Sequence, residues 1–161
     1  MARNPDPTQK LTSSKGVART LDDWSTMFHL CLVILPDRLE ASVFVPIARR
    51  IFATFGDADC RVAFVVTGNN YVAERVLGQA EAQVLTFCDP DKEFVTSLGL
   101  ERLPAFVHLR QNTTVVAATE GWDAHEWQRV AREVGKSMAW TVPEVTRQGD
   151  PRSFAGWPIA V

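Results

Sequence analysis

Residues 83–134 read QVLTFCDPDKEFVTSLGLERLPAFVHLRQNTTVVAATEGWDAHEWQRVAREV, and the order of patterns in this stretch decides the fold. A short apolar strand ends at Cys88 and gives way to a helical stretch. Two apolar runs within residues 105–119 flank a polar turn, which is typical of a β-hairpin. Asp123 then begins a closing helix with an apolar stripe on one face.

The chain upstream of this stretch alternates in the same way. HLCLVIL (29–35) is a continuous apolar run that predicts a strand buried on both faces. Residues 42–55 have helical spacing, with a kink expected at Pro46; a strand over 61–67 and a helix over 71–77 follow. Alternating elements of this kind predict an α/β fold of three layers, with a mixed central sheet, helices on both faces and a C-terminal hairpin plus helix.

The composition changes near both ends of the chain. Residues 1–19 are rich in Pro, Ser, Thr and Lys without periodicity, which predicts a flexible N-terminal tail. The domain is expected over 20–140, opening on a capping pattern at Thr20. Residues 141–161 form a second tail with prolines and aromatics. We expect two of those aromatics, Phe154 and Trp157, to pack on the domain or on a second copy of the chain.

The stretch from Val84 to Gly121 resembles the thioredoxin-like superfamily, in its TlpA-like and peroxiredoxin-like branch. The similarity rests on the order of DPD, a helix, a glycine, Leu-Pro, a strand and a turn. Leu103-Pro104 falls where these proteins keep a cis-proline, and Pro46 matches the proline that kinks the helix after their active site. The resemblance implies a thioredoxin-like fold over residues 20–138.

One departure from the family's pattern bears directly on function. Counting back from Pro46, the position of the family's CxxC motif is occupied by Arg38-Leu39-Glu40-Ala41. Thiol–disulfide exchange requires a thiolate, which a helix N-terminus favours, and a second thiol to resolve the mixed disulfide. The resemblance therefore implies a protein that has lost the family's usual thiol chemistry.

The three cysteines lie elsewhere and far apart in the sequence, at positions 31, 60 and 88. Cys31 is in mid-strand and Cys60 follows acidic residues, so both are expected to be inert. Cys88 ends a strand just before a helix start, which favours a thiolate, but the neighbouring Asp89 and Asp91 oppose it. Cys88 is the candidate catalytic residue if the chain is an enzyme.

Two functions follow from these observations. The first is a redox-inactive protein-binding, chaperone or assembly module, which binds through Arg38, Glu40, Leu103, Pro104 and Trp157. Its partner is another protein, or a second copy of the chain in a homodimer. LDDW (21–24) and PDR (36–38) give it a resemblance to hydrogenase-maturation accessory proteins. The alternative is an atypical thiol-disulfide oxidoreductase or peroxidase that uses Cys88.

Other classes of function lack a sequence signal. The formal charge of −2 and the lack of any basic segment argue against nucleic acid. No apolar run approaches the length of a membrane span, and no signal peptide is recognised, so a cytoplasmic protein is expected. No cofactor motif is present, and no metal site is expected because the histidines lack ligand spacing. They stand at positions 29, 108 and 125.

Overall fold

The computed structural model describes residues 2–159, and a seven-stranded mixed sheet runs through their centre. The strands are, in chain order, β1 (Lys10–Ser13), β2 (Ala18–Thr20), β3 (His29–Leu35), β4 (Cys60–Val66), β5 (Leu85–Cys88), β6 (Arg102–Leu103), β7 (Ala105–Leu109), β8 (Val115–Glu120) and β9 (Trp157–Pro158). The order across the sheet is β2-β1-β5-β4-β3-β7-β8, and β6 and β9 form a separate pair.

Helices cover both faces of this sheet. They are α1 (Leu21–Trp24), a 3₁₀ helix (Leu39–Phe44), α2 (Val45–Phe55), α3 (Asn70–Leu77), α4 (Ala80–Gln83), α5 (Glu93–Ser97) and α6 (Ala124–Met138). Buried side chains of α2, α3 and α6 form one core, and those of α1 and α5 form the other. The predicted three-layer α/β architecture is therefore confirmed.

Strand β3 is the centre of the sheet. It pairs in parallel with β4 and antiparallel with β7. Because successive side chains of a strand point to opposite faces, Val33 enters one core while Leu32 and Ile34 enter the other. The parallel strands β3, β4 and β5 all end at one edge of the sheet, where the loops after Leu35 and Cys88 meet solvent.

The helix predicted over residues 42–55 is divided in the structure. A 3₁₀ helix ends at Phe44, and α2 begins at Val45 with Pro46 in its first turn. Pro46 therefore lies in the first turn of the helix and does not kink it. The physical reason is that the first turn of a helix has no partner for its amide hydrogens, so the donor that proline lacks is not missed there.

The flexible tail predicted over residues 1–19 is wrong for the described part of that range. Strands β1 and β2 form a hairpin, and β1 pairs with β5 through Thr12 opposite Cys88. Leu11 is buried, and its carbonyl accepts a hydrogen bond from the Trp24 indole at 3.1 Å. These contacts join residues distant in sequence, so local composition gave no sign of them.

The C-terminal segment, residues 141–159, crosses the domain surface with little regular structure and ends in β9. Val145 is fully buried, and the Arg50 guanidinium lies 2.6 Å from a carboxylate oxygen of Asp150. Phe154 and Trp157 pack against the core that contains Phe44. Residues 160–161 of the predicted tail, and Met1, lie outside the described residues.

Candidate functional site

The turn after β3 carries Arg38 at the start of the 3₁₀ helix. Arg38 has an extended backbone there and makes no side-chain capping hydrogen bond. Its Nε lies 3.7 Å from a carboxylate oxygen of Glu40. Both side chains are about half exposed or more, so this ion pair contributes at most about 1 kcal/mol. Residues 38–41 place no thiol at this helix start.

An aromatic cluster lies beside Arg38. The Arg38 guanidinium lies 5.2 Å from the centroid of the Trp157 ring, a cation–π distance. The Trp157 ring in turn meets Phe44 at 6.1 Å and Phe154 at 4.7 Å between centroids, both edge to face. The segment that contains Phe154 and Trp157 therefore packs beside the start of the 3₁₀ helix, where Arg38 stands.

Strand β9 reaches this position by pairing with β6. Trp157 lies opposite Leu103 and Pro158 opposite Arg102 in an antiparallel register. The Arg102 guanidinium also donates to the Gly156 carbonyl at 2.7 Å. One residue beyond β9, the Ile159 amide donates to the Glu101 carbonyl at 2.9 Å.

The backbone at β6 has two notable features. The Leu103–Pro104 peptide bond is cis, as predicted. A carboxylate oxygen of Glu120 accepts from the amides of Glu101 and Arg102 at 2.6 and 3.0 Å. The backbone that faces β9 is therefore held from the side of β8.

Two glycines allow the close approach of this segment to the domain. Gly156 has φ +101°, and a Cβ there would lie 2.9 Å from the Leu103 carbonyl oxygen. Gly121 has φ +76°, and a Cβ there would lie 2.7 Å from the carbonyl oxygens of Phe154 and Ala155. Backbone meets backbone at both positions, so no larger residue fits without displacing the segment.

Cys88 lies at the same edge of the sheet, at the end of β5. Its thiol donates to the side-chain oxygen of Asn70 at 3.2 Å, and it lines a cleft of about 370 Å³. Burial raises the pKa of the Cys88 thiol, and the nearby Glu81 carboxylate raises it further. A thiol in this environment is protonated at neutral pH and is a poor nucleophile.

The helix start predicted just after Cys88 lies further along the chain in the structure. Helix α5 begins at Glu93, and Lys92 is its N-terminal flanking residue. The Asp89 carboxylate still accepts from the amides of Phe94 and Val95, at 3.2 and 3.1 Å. Burial raises the pKa of Asp89, and these amide hydrogen bonds oppose that rise. The Asp89 carboxylate therefore accepts hydrogen bonds from the amides of α5, whereas the Cys88 thiol bonds to Asn70.

The other two cysteines are buried in the core and both are free. Burial raises the pKa of Cys31 well above its usual value, and the neighbouring Cys60 thiol adds to the shift. Cys31 and Cys60 lie on adjacent strands at the end of the sheet opposite Arg38. Neither thiol is at the edge that holds Arg38 and Trp157.

Similar solved structures share this architecture. A protein assigned as the thiol:disulfide interchange protein DsbE of Chlorobium tepidum superimposes with a TM-score of 0.70 at 16% identity, covering 86% of this chain and 98% of that one. The thioredoxin domain of a thiol-disulfide oxidoreductase from Bacteroides vulgatus gives 0.63 at 12%, covering 84% and 97%. Peroxiredoxin Q from Xanthomonas campestris gives 0.64 at 13%, covering 82% and 94%. The chain has a thioredoxin-like fold.

At these identities the similarity establishes the fold, and the activities named belong to those proteins. No family model and no curated protein sequence matches the chain. The thioredoxin-like fold predicted from the sequence is therefore confirmed.

The thioredoxin-like fold brings most of the predicted binding residues together. Arg38 meets Trp157 directly, and Glu40 lies beside Arg38. Leu103 pairs with Trp157 through its backbone, while the Leu103 and Pro104 side chains are buried. Sequence reasoning missed Phe44, Arg102 and Gly156, because their roles depend on a pairing across more than fifty residues.

The opposite end of the sheet holds a histidine pair that the sequence did not predict. Nδ1 of His29 lies 2.8 Å from Nε2 of His108. Nδ1 of His108 is buried without a hydrogen-bond partner. Burial, together with His29 and Arg110, lowers the pKa of His108 to about 3, so this histidine is neutral at physiological pH.

Within residues 2–159, no helix combines the length and apolar character that crossing a membrane requires. In the same residues, no three or more His, Cys, Asp or Glu side chains are grouped so that they could hold a metal ion.

Proposed function

We propose that the chain is a protein-binding module whose β6 edge receives an extended segment of polypeptide. One observation carries the proposal: β6 already pairs antiparallel with the chain's own residues Trp157–Pro158. A strand edge that accepts one extended segment offers the same backbone donors and acceptors to another. A chaperone or assembly role would use this edge to hold a client segment without modifying it.

The thiols support a binding function over a catalytic one. The helix start after β3 holds Arg38 where a reactive cysteine would benefit from the helix dipole. The raised pKa of Cys88 leaves little thiolate at neutral pH. The geometry of the described residues therefore favours recognition at this edge.

A full-length variant tests the proposal. Gly156→Ala places a Cβ 2.9 Å from the Leu103 carbonyl and should release β9 from β6. A fluorescent peptide of residues 150–159, DPRSFAGWPI, should then bind the variant in trans, as measured by anisotropy. Loss of amide protection at Phe154 and Ile159, which donate to Trp122 and Glu101, checks that the segment has left.

A matched control is available in the same segment. Gly149 also has positive φ, at +93°, but a Cβ there would meet nothing within 4 Å. Gly149→Ala should leave β9 in place and bind the peptide as weakly as the wild type. Release of the segment in Gly156→Ala without any peptide binding would refute the proposed function.

A second candidate function is a thiol enzyme that uses Cys88. Its support is that Cys88 is partly exposed in a cleft, and that the similar structures named above are thiol-disulfide oxidoreductases and a peroxiredoxin. These similarities favour the enzyme more than the binding module. Turnover of a small disulfide or of hydrogen peroxide, abolished by Cys88→Ser and retained by Cys60→Ser, would establish it.

We also propose a cytoplasmic location. The support is that the chain carries three free thiols, one of them partly exposed, which a reducing compartment preserves. Alkylation of intact cells before lysis tests this, because all three cysteines should be recovered reduced. A large fraction of oxidised Cys88 would contradict it.

A further inference from the structure

The segment that occupies the β6 edge makes contacts that depend on its sequence. Four of its positions make contacts that require a particular kind of residue, and the other two positions are exposed. Resting on the proposed function, we infer that the edge selects a partner protein bearing the extended pattern Phe-x-Gly-Trp-x-Ile. The chain's own residues 154–159 are then the resident competitor for that partner.

The glycine of the pattern is fixed by a close approach of two backbones. The Cβ of any other residue at Gly156 would lie 2.9 Å from the Leu103 carbonyl oxygen and 3.0 Å from the Arg102 Cβ. The φ of +101° is also one that residues with side chains rarely adopt. A partner segment in the same position therefore needs glycine here.

The preference for tryptophan at position 157 comes from contacts with a cation and with another aromatic ring. The centroid of its ring lies 5.2 Å from the Arg38 guanidinium and 6.1 Å from the centroid of the Phe44 ring. Tryptophan has the strongest attraction for a cation among the aromatic side chains. Loss of this ring would remove both contacts at once.

The two outer positions are fixed by burial and backbone pairing. The Phe154 ring stacks on Phe44 at 6.5 Å, and its backbone exchanges hydrogen bonds of 2.7 and 2.8 Å with Trp122. Ile159 is buried against the second core, and its carbonyl accepts from the Lys92 ammonium at 3.2 Å. Both positions therefore need an apolar side chain.

The remaining two positions face solvent. Ala155 and Pro158 are both exposed. Pro158 has no amide hydrogen, which an edge strand tolerates on its solvent side. These positions should accept many residues, so they provide internal controls for the pattern.

The partner is a separate protein rather than a second copy of this chain. Each copy holds its own segment in place through the Arg50–Asp150 pair at 2.6 Å and the Trp122 indole, which donates to the Pro151 carbonyl at 2.8 Å. This tether gives the resident segment an effective concentration on the order of millimolar, which a second copy's segment does not match. A separate protein reaches the edge when its segment binds more tightly than the resident one.

The test uses the full-length Gly156→Ala chain and a panel of peptides based on residues 150–159. Peptides in which Phe154, Gly156, Trp157 or Ile159 is changed to Ala should each bind about tenfold more weakly or worse, equivalent to about 1.4 kcal/mol. Peptides carrying Ala155→Ser or Pro158→Ala should bind within about threefold of the parent peptide. The corresponding change in binding free energy is less than half of that for a tenfold loss.

The outcomes separate the two proposals. If no peptide binds although the resident segment has been released, the proposed function fails. If all peptides bind alike, the edge binds polypeptide but the pattern is refuted. If the wild-type chain, whose segment keeps Gly156, forms a dimer by light scattering and the Gly156→Ala chain does not, the occupant is a second copy and the inference of a separate partner is overturned.

Discussion

The Arg38 guanidinium lies 5.2 Å from the centroid of the Trp157 ring, so the start of the 3₁₀ helix is in contact with strand β9. Trp157→Ala should lower the free energy of unfolding by about 2–3 kcal/mol, less than for a fully buried ring because Trp157 is partly exposed. Arg38→Gln should lower it by about 0.5–1 kcal/mol. Urea unfolding of both variants measures these changes.

The contact itself is isolated by the double variant. If the two side chains attract each other, the double variant should be about 0.5–1 kcal/mol more stable than the sum of the single changes predicts. Arg75, which lies 5.7 Å from the Tyr71 ring, is the control arginine. Arg75→Gln and Trp157→Ala should be additive, and coupling of equal size in both pairs would contradict a direct contact.

The three thiols should react in a fixed order. At pH 7, Ellman's reagent should label Cys88 first, because Cys31 and Cys60 are buried. Labelling of Cys88 should still be slower than that of free cysteine, since burial and Glu81 raise the pKa of its thiol. The other two should react only in denaturant.

Glu81→Gln separates the two causes of the raised pKa. Removing the carboxylate charge should speed the labelling of Cys88, while burial keeps the rate below that of free cysteine. Glu133→Gln, on α6, should leave the rate unchanged. Labelling of wild-type Cys88 faster than free cysteine would favour the thiol enzyme over the binding module.

The elements that the sequence predicted are those whose signal is local. HLCLVIL is a continuous apolar run, and it forms the buried strand β3. Thr20 and Asp123 each accept a hydrogen bond from the amide three residues on, as their capping patterns indicate. The N-terminal hairpin was missed because β1 has only four residues, and its place depends on pairing with distant β5.

The candidate site was predicted in part for a related reason. The family resemblance aligned Arg38 and Pro104 with one edge of the fold, and the structure places both there. The role of residues 154–159 depends on backbone pairing with β6, and backbone groups carry no sequence signature. The sequence does not show that Gly156 has a special role, because that role depends on the nearby carbonyl of Leu103.

The N-terminal hairpin should contribute measurably to stability. Leu11 is 2% exposed, so Leu11→Ala should lower the free energy of unfolding by about 2–4 kcal/mol through lost burial and a cavity. Val17, in the same hairpin, is 43% exposed, and Val17→Ala should change it by less than about 0.5 kcal/mol. Thermal or urea unfolding measures both. Equal small effects would mean that residues 10–20 do not pack as described.

The histidine pair should make the protein less stable in mild acid. Burial lowers the pKa of folded His108 to about 3, against an ordinary value of 6.5. Between these values the unfolded chain binds a proton that the folded chain excludes, so stability is complete above pH 6.5 and falls as the pH decreases. The loss should approach about 1.4 kcal/mol per pH unit, or roughly 2 kcal/mol at pH 5.

His108→Gln isolates this contribution from those of the carboxylates. The variant loses the titrating group, so its free energy of unfolding should decline less steeply between pH 6.5 and 4.5 than that of the wild type. His29→Gln should reduce the slope by a smaller amount, because burial lowers the pKa of His29 while Asp59 opposes the shift. The exposed His125 is the matched control, and His125→Gln should follow the wild-type curve. Parallel curves for His108→Gln and the wild type would mean that folding does not lower the pKa of His108.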